Sequence, residues 1–373
     1  MRAYYTLRGC TFFVVSGWVR RLRVVLLTPL YLLAVSCSSA AWQNADPDTF
    51  ACGPFGDSPA HFIESAAPYC IGGTRLGPWK DSDSHKRYAC LYEPGPAASR
   101  GPLPLLIYLH PSLFSTQTIH LTNLLHYQES LQIGARDRHG FIVLEPIGRK
   151  TAHYYPFPDR EAVGWDNWYR QLNPDGDVTV RGTKYKENVD AATIDHFVAE
   201  QTATGKVDRK RIYVTGWSNG AAMGLLYALN RRNIAALAVY SSPDPFGALE
   251  DPCPQKPTKH PPDEDAEIQI FNPQLPILEI HPNCDIVGIC PNSELLTSQV
   301  ESVGTNVDDL IVNSLGERVK TCMRACGTNP IGDDDPTTNP LGWTLGLVNH
   351  NIWPLTWTRT ILEFLRDHPL KFH

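Results

Sequence analysis

The pentapeptide Gly216-Trp217-Ser218-Asn219-Gly220 has the form G-x-S-x-G and separates two stretches of opposite conformational preference. Before it, Ile212, Tyr213, Val214 and Thr215 are β-branched or aromatic and suit a buried strand; after it, residues 219–230 are rich in Ala and Leu and suit a helix. Turning a strand into a helix within so few residues forces the serine into a strained backbone conformation and raises its hydroxyl above the sheet. The flanking glycines remove the β-carbons that would otherwise collide. Two glycines around a serine are weak evidence alone. The strand before and the helix after make Ser218 the candidate nucleophile.

The rest of the chain supplies a sheet on which such an elbow can sit. Residues 103–110, LPLLIYLH, form a continuous apolar run bounded by Pro and Gly, as a central parallel strand requires. Residues 118–138 read as mostly helical and residues 141–145 as the next strand, giving a βαβ unit. Residues 163–180 form a loop containing Trp, Asn and Gly, and residues 188–204 carry apolar positions at helical spacing. Further strands are expected at 87–92, 234–240, 275–281 and 346–348, an ambiguous element at 298–312 and an amphipathic helix at 353–368. The expected fold class is α/β: a mostly parallel central sheet with helices on both faces. Residues 87–373 form its domain, and residues 38–86, rich in Pro, Gly, Asp and Ser, a loop-rich extension.

A serine hydroxyl becomes a useful nucleophile only when an imidazole takes its proton, and the imidazole needs a carboxylate to fix its tautomer. Asp285 follows the strand at 275–281 by four residues, and His350 follows residues 346–348, so the order serine, acid, histidine is available. Asp308 and Asp309 are reserve acids. His281 is a rival base, but it precedes the acid in the chain. The oxyanion that develops needs two backbone N–H donors: Asn219, at a helix N-terminus, and one from the loop after residues 103–110. Pro111 has no N–H, which leaves Ser112 or Leu113. Trp165, Trp168, Trp217 and Trp353 are candidates for an aromatic wall against an acyl chain, a sugar or an aromatic acid.

From residue 101 onward the chain resembles the secreted poly(3-hydroxybutyrate) depolymerase and feruloyl esterase branch of the α/β-hydrolases. The stretches that carry the likeness are LPLLIYLH, ARDRHGFIVLEP, NVDAATIDHFVAE with VDRKRIYVTGWSNGAAM, PILEIHPNCD and HNIWP. That resemblance implies Ser218, Asp285 and His350 as nucleophile, acid and base of an esterase that needs no cofactor. The chain departs from the family at Pro111, where glycine is usual, and in its spacing from His350 to Trp353.

The first 37 residues hold five arginines and no acid, followed by an apolar run too short to span a membrane comfortably, so they read as a secretory signal. Cys37, behind small residues, is a candidate lipid-anchor site, through which alone a membrane attachment would run, with simple cleavage and free secretion as the equal alternative. Without those arginines the net charge is −11 instead of −6, which argues against nucleic acid as a partner. Eight cysteines lie beyond residue 37, an even set that reads as up to four disulfides, with Cys284–Cys290 and Cys322–Cys326 as the expected local pairs and Cys52 and Cys70 tying down the extension. No C-x-x-C pair is present, no metal is expected, and the Asp333-Asp334-Asp335 run reads as a solvated loop. The chain is thus expected to be an exported or envelope-anchored esterase acting on small or polymeric esters, with a general carboxylesterase and a non-catalytic envelope binding protein as the rival readings.

Overall fold

A computed structural model describes residues 6–7, 10–12, 35–37, 62–63, 67–82, 84–98, 100–112, 116–129, 134–135, 138–151, 162–165, 179–180, 183–184, 188–243, 270–285, 290–322 and 340–371. The chain divides into a unit of residues 1–49 and a unit of residues 50–373. In the first, Thr6–Leu7, Cys10–Phe12 and Val35–Cys37 form a small antiparallel sheet. Of the expected apolar signal stretch, residues 24–34 lie outside the described residues. No helix among the described residues is long and apolar enough to cross a membrane.

The second unit is built on eight strands: β1 (Thr74–Lys80), β2 (Lys86–Tyr92), β3 (Leu103–Leu109), β4 (Ile142–Pro146), β5 (Val207–Trp217), β6 (Ala236–Tyr240), β7 (Ile277–Pro282) and β8 (Val307–Val312). Their spatial order is β1-β2-β4-β3-β5-β6-β7-β8. β2 runs antiparallel to both its neighbours, and every other pairing is parallel. This is the strand order of the α/β-hydrolase fold, on a mostly parallel sheet. Five α-helices accompany it among the described residues: α1 (Val189–Ala203), α2 (Asn219–Leu229), α3 (Cys290–Ser302), α4 (Pro340–His350) and α5 (Thr358–Asp367).

The central strands are apolar throughout because each face meets its own core. Leu105, Ile107 and Leu109 of β3 pack with α1 and α2 residues such as Ile194, Phe197 and Leu225, while Leu106 and Tyr108 pack on the other side with Ile361 and Leu365 of α5. Helix α1 starts at Asn188, whose side chain accepts from the N–H groups of Asp190 and Ala191. Such a cap contributes about 1 kcal/mol, whereas burying Ile194 and Phe197 contributes about 1.5–3 kcal/mol each, so packing decides where the helix lies. Charge pins the same helix: buried Arg87 on β2 pairs with Asp81 at 3.1 Å and with Asp190 in the first turn of α1.

Several expectations need correction. Thr74–Lys80 lies within the supposed loop-rich extension, yet it is the edge strand of the main sheet. Its centre, Gly77-Pro78, reads as a turn; the structure accommodates it as an irregularity in the register between Leu76 and Trp79, with Gly77 at φ +92°. Residues 118–138 are not one helix. They hold 3-10 turns at Thr116–Leu121 and Leu125–Tyr127 and a short hairpin of Gly134–Ala135 with Arg138–His139. Thr122 Oγ1 donates to Ile119 O and accepts from Leu124 N, and Asn123 adopts φ +59°, so side-chain bonding and a left-handed residue break the helix. The ambiguous stretch resolves into the end of α3 and all of β8.

Residues 346–348 are helical, part of α4, and the last strand of the sheet is β8. Pro340 sits at the first position of α4, where its missing N–H costs nothing. The local disulfide pairs are also wrong: Cys290, at the start of α3, bonds Cys322 beyond β8, and Cys70 bonds Cys90 on β2. Cys284 is disulfide-bonded as well. Cys52 and Cys326 lie outside the described residues, as does the Asp333-Asp334-Asp335 run.

Candidate active site

Strand β5 delivers Ser218 at its end, and the serine takes φ +55° and ψ −124° before α2 begins. Both glycines of the pentapeptide are required by contact. A β-carbon on Gly216 would lie 2.4 Å from Gly220 O, and one on Gly220 would lie 2.2 Å from Leu109 O and 2.5 Å from His110 O. The elbow therefore rests directly on the carbonyls of Leu109, which ends β3, and of His110. Gly220→Ala is expected to destabilise the protein by about 1–3 kcal/mol, since the methyl would overlap the backbone of Leu109 and His110. Urea denaturation would show this as a lowered midpoint, and an unchanged midpoint would contradict the close approach.

The structure brings Ser218, His350 and Asp285 together from three separate parts of the chain. Ser218 Oγ lies 2.8 Å from His350 Nε2, and His350 Nδ1 lies 3.0 and 3.2 Å from the two carboxylate oxygens of Asp285. All three are buried. His350 ends α4, and its carbonyl accepts from Trp217 Nε1 at 2.8 Å. The preceding residue is fixed too: Tyr240 OH donates to Asn349 O at 2.8 Å, and Asn349 Nδ2 donates to Cys284 O at 2.8 Å, next to Asp285. Burial, and then the nearby Asp285 charge, pushes the Tyr240 phenol well above its ordinary pKa, so it remains a donor at any physiological pH.

One member of this cluster was not expected. Ser241, the residue after β6, is fully buried at φ +55° and donates from Oγ to Asp285 Oδ2, while the same oxygen lies 2.8 Å from His350 Nδ1. Nothing in the sequence marks it beyond its place at the end of an apolar strand.

Asn219 opens α2, so its N–H has no acceptor within the helix. Its side-chain oxygen is committed: Asn219 Oδ1 accepts from the backbone N–H of Trp165 at 2.7 Å. The other expected oxyanion loop follows β3. Ser112 is half-buried there, and Leu113 lies outside the described residues. His110 holds the start of this loop, for Gly148 N–H donates to His110 Nε2 at 3.0 Å, which leaves Nδ1 to carry the proton and donate to Pro111 O at 2.8 Å.

The aromatic wall does not survive. Trp165, Trp217 and Trp353 are only 2, 4 and 2 % exposed, and each indole N–H is already bonded, to His110 O, His350 O and Thr358 Oγ1. Trp217, Tyr240 and Trp353 contact one another edge-on or tilted. These rings are apolar enough for the core and carry one donor each, so they brace the loops that hold the site instead of facing a ligand. Trp168 lies outside the described residues.

The rival base and one of the reserve acids are engaged with each other. His281 Nε2 lies 2.6 Å from Asp309 Oδ1 across β7 and β8. Burial disfavours the charged imidazole, but the Asp309 hydrogen bond and the Glu279, Asp309 and Asp285 carboxylates outweigh it, so the pKa of His281 is raised. A raised folded-state value means that this stabilisation is complete below the unfolded pKa, about 6.5, and is lost as pH rises through the folded value. His281→Gln is therefore expected to cost more stability at pH 6 than at pH 9. Thermal melts giving the same loss at both pH values would contradict the pairing.

Cys290, Glu294 and Cys322 form the one cluster of potential metal ligands among the described residues, and its two sulfurs are joined as a disulfide.

No protein-family model and no curated protein sequence matches the chain. Among solved structures, a thermostable esterase is similar at 15 % identity and a TM-score of 0.46, over 81 % of this chain and 64 % of that one. A puromycin-hydrolysing peptidase of Mycobacterium tuberculosis is similar at 12 % identity and 0.48, over 80 % and 39 %. The Bacillus cereus carboxylesterase is similar at 16 % identity and 0.37, over 60 % and 85 %. The chain thus spans less than two thirds of the first two proteins, and likenesses this distant bear on neither reaction nor substrate.

Proposed function

We propose that the protein is a serine hydrolase that cleaves carboxylic esters, with Ser218 as nucleophile, His350 as base and Asp285 as the acid that orients it. The observation that carries this reading is the unbroken chain from Ser218 Oγ through both ring nitrogens of His350 to the Asp285 carboxylate. His350 Nε2 takes the hydroxyl proton as Ser218 Oγ attacks the ester carbonyl. The N–H of Asn219 and one from Ser112 or Leu113 stabilise the oxyanion. Collapse of the tetrahedral species expels the alcohol, which receives its proton from His350. Water, activated by the same imidazole, then releases the acid from the acyl enzyme.

The substrate class follows the sequence resemblance: hydroxyalkanoate esters, or the phenolic and acetyl esters of plant cell walls. Export, free or through an acyl group on Cys37, is supported by the Cys70–Cys90 and Cys290–Cys322 disulfides, which suit an oxidising compartment.

The reading is tested with a fluorophosphonate, which phosphonylates an activated serine hydroxyl irreversibly. Stoichiometric labelling found at Ser218 by peptide mass mapping, together with loss of p-nitrophenyl acetate turnover, is the expected result. Undiminished turnover in fully labelled protein, or no labelling at all, would overturn it.

A further inference from the structure

We infer that Ser241 is a positioning residue of the hydrolytic site, a fourth member that fixes the tautomer of His350 and shares the charge that forms on it; this rests on the reading of Ser218, His350 and Asp285 given above. Ser241 Oγ is 2.8 Å from His350 Nδ1, nearer than either oxygen of Asp285 at 3.0 and 3.2 Å, and it also bonds Asp285 Oδ2. A hydroxyl has one proton and two lone pairs, and an ionised carboxylate can only accept. The Ser241 proton therefore goes to Asp285. What remains facing the imidazole is a lone pair, so Nδ1 must carry hydrogen and divide it between the carboxylate and the hydroxyl.

That assignment leaves Nε2 free to accept, which is the state needed opposite Ser218 Oγ at 2.8 Å. The opposite tautomer would place the lone pair of Nδ1 against the Asp285 carboxylate and aim a proton at the nucleophile. Ser241 thus selects the productive tautomer, because giving its one proton to the carboxylate leaves an acceptor facing Nδ1. When the imidazole becomes imidazolium during attack, the same oxygen is a second acceptor for its positive charge.

The backbone is shaped for this placement. Ser241 sits at φ +55°, uncommon for a residue with a β-carbon, and its N–H is paired with Ile280 O at 2.8 Å on the neighbouring β7. The turn at the end of β6 therefore aims Oγ into the cluster from a rigid strand, while Asp285 and His350 come from a loop and a helix end.

The test uses Ser241→Ala, which keeps the β-carbon and removes the oxygen, and Ser241→Gly, which removes the oxygen and suits the positive φ. With p-nitrophenyl acetate, kcat is expected to fall about 10- to 100-fold in both, with KM within about twofold of the parent. In protein selectively labelled with ¹⁵N-histidine, the Nδ1–H proton of His350, assigned by its absence in His350→Gln, is expected to move downfield as a divided hydrogen bond becomes a single one to Asp285. A merely structural serine would lower the melting temperature and leave that resonance and kcat in place. Unchanged kcat and an unchanged resonance in both variants would overturn the inference while leaving the proposed reaction intact, whereas full turnover in Ser218→Ala would overturn the reaction itself.

Discussion

Ser218→Ala is expected to reduce kcat on p-nitrophenyl acetate by about 10⁵–10⁶-fold, because removing the nucleophile of such a unit costs about as much as removing all of it. The loss is expected in kcat and not in KM: the change removes one oxygen and leaves the backbone in place, while no acyl enzyme can form. Alanine suffers the same penalty at φ +55° as serine does, so the elbow is retained and the circular dichroism spectrum should match the parent. A steady-state assay on protein free of parent contamination decides the matter. Residual activity within tenfold of the parent would mean that another group performs the attack.

The second large effect is expected from Asp285→Asn. The replacement is nearly isosteric, so packing around this buried position is kept and the difference is one of hydrogen bonding. An amide N–H₂ turned toward His350 Nδ1 would favour the tautomer whose proton sits on Nε2, opposite Ser218 Oγ. Such a base cannot accept, and a loss of about 10⁴-fold in kcat is the expected size. Turning the amide oxygen toward Nδ1 instead would place the N–H₂ against the Ser241 hydroxyl, which would have to reverse its own bond. Measured kcat for Asp285→Asn within tenfold of the parent, with Ser218→Ala inactive, would show that the acid is not needed to fix the imidazole.

How much of this was legible in the sequence follows from which physical signal each element leaves. Strands β3, β4 and β6 are buried on both faces, so their apolar runs announce them, and the elbow is legible because its two glycines have no alternative at a strand-to-helix turn. The chain order of serine, acid and histidine pointed to the residues that the structure brings together. β1 was hidden by a Gly-Pro pair at its centre, and its exposed edge position leaves no apolar run to read. The short strand expected at 346–348 is instead part of α4, which places His350 at a helix end. Residue type alone offers Trp165, Trp217 and Trp353 to a ligand, and only burial reveals that their N–H groups are spent on the framework. Disulfide pairing depends on which turns meet in space, which spacing along the chain does not encode. Ser241 left no signal because a serine after a strand is ordinary until its neighbours are known.

The bond from Trp217 Nε1 to His350 O joins the residue before Ser218 to His350 itself. An indole is also a fluorophore, so this one brace makes the docking of α4 visible by light. Should the helix end lift away, the ring would lose both its acceptor and its contact with Trp353, and its emission would move to longer wavelength as water reached it. The chain has nine tryptophans, so the difference spectrum between the parent and Trp217→Phe isolates the signal. Heating would then reveal whether the imidazole departs with the whole fold or ahead of it, a distinction that separates inactivation from unfolding.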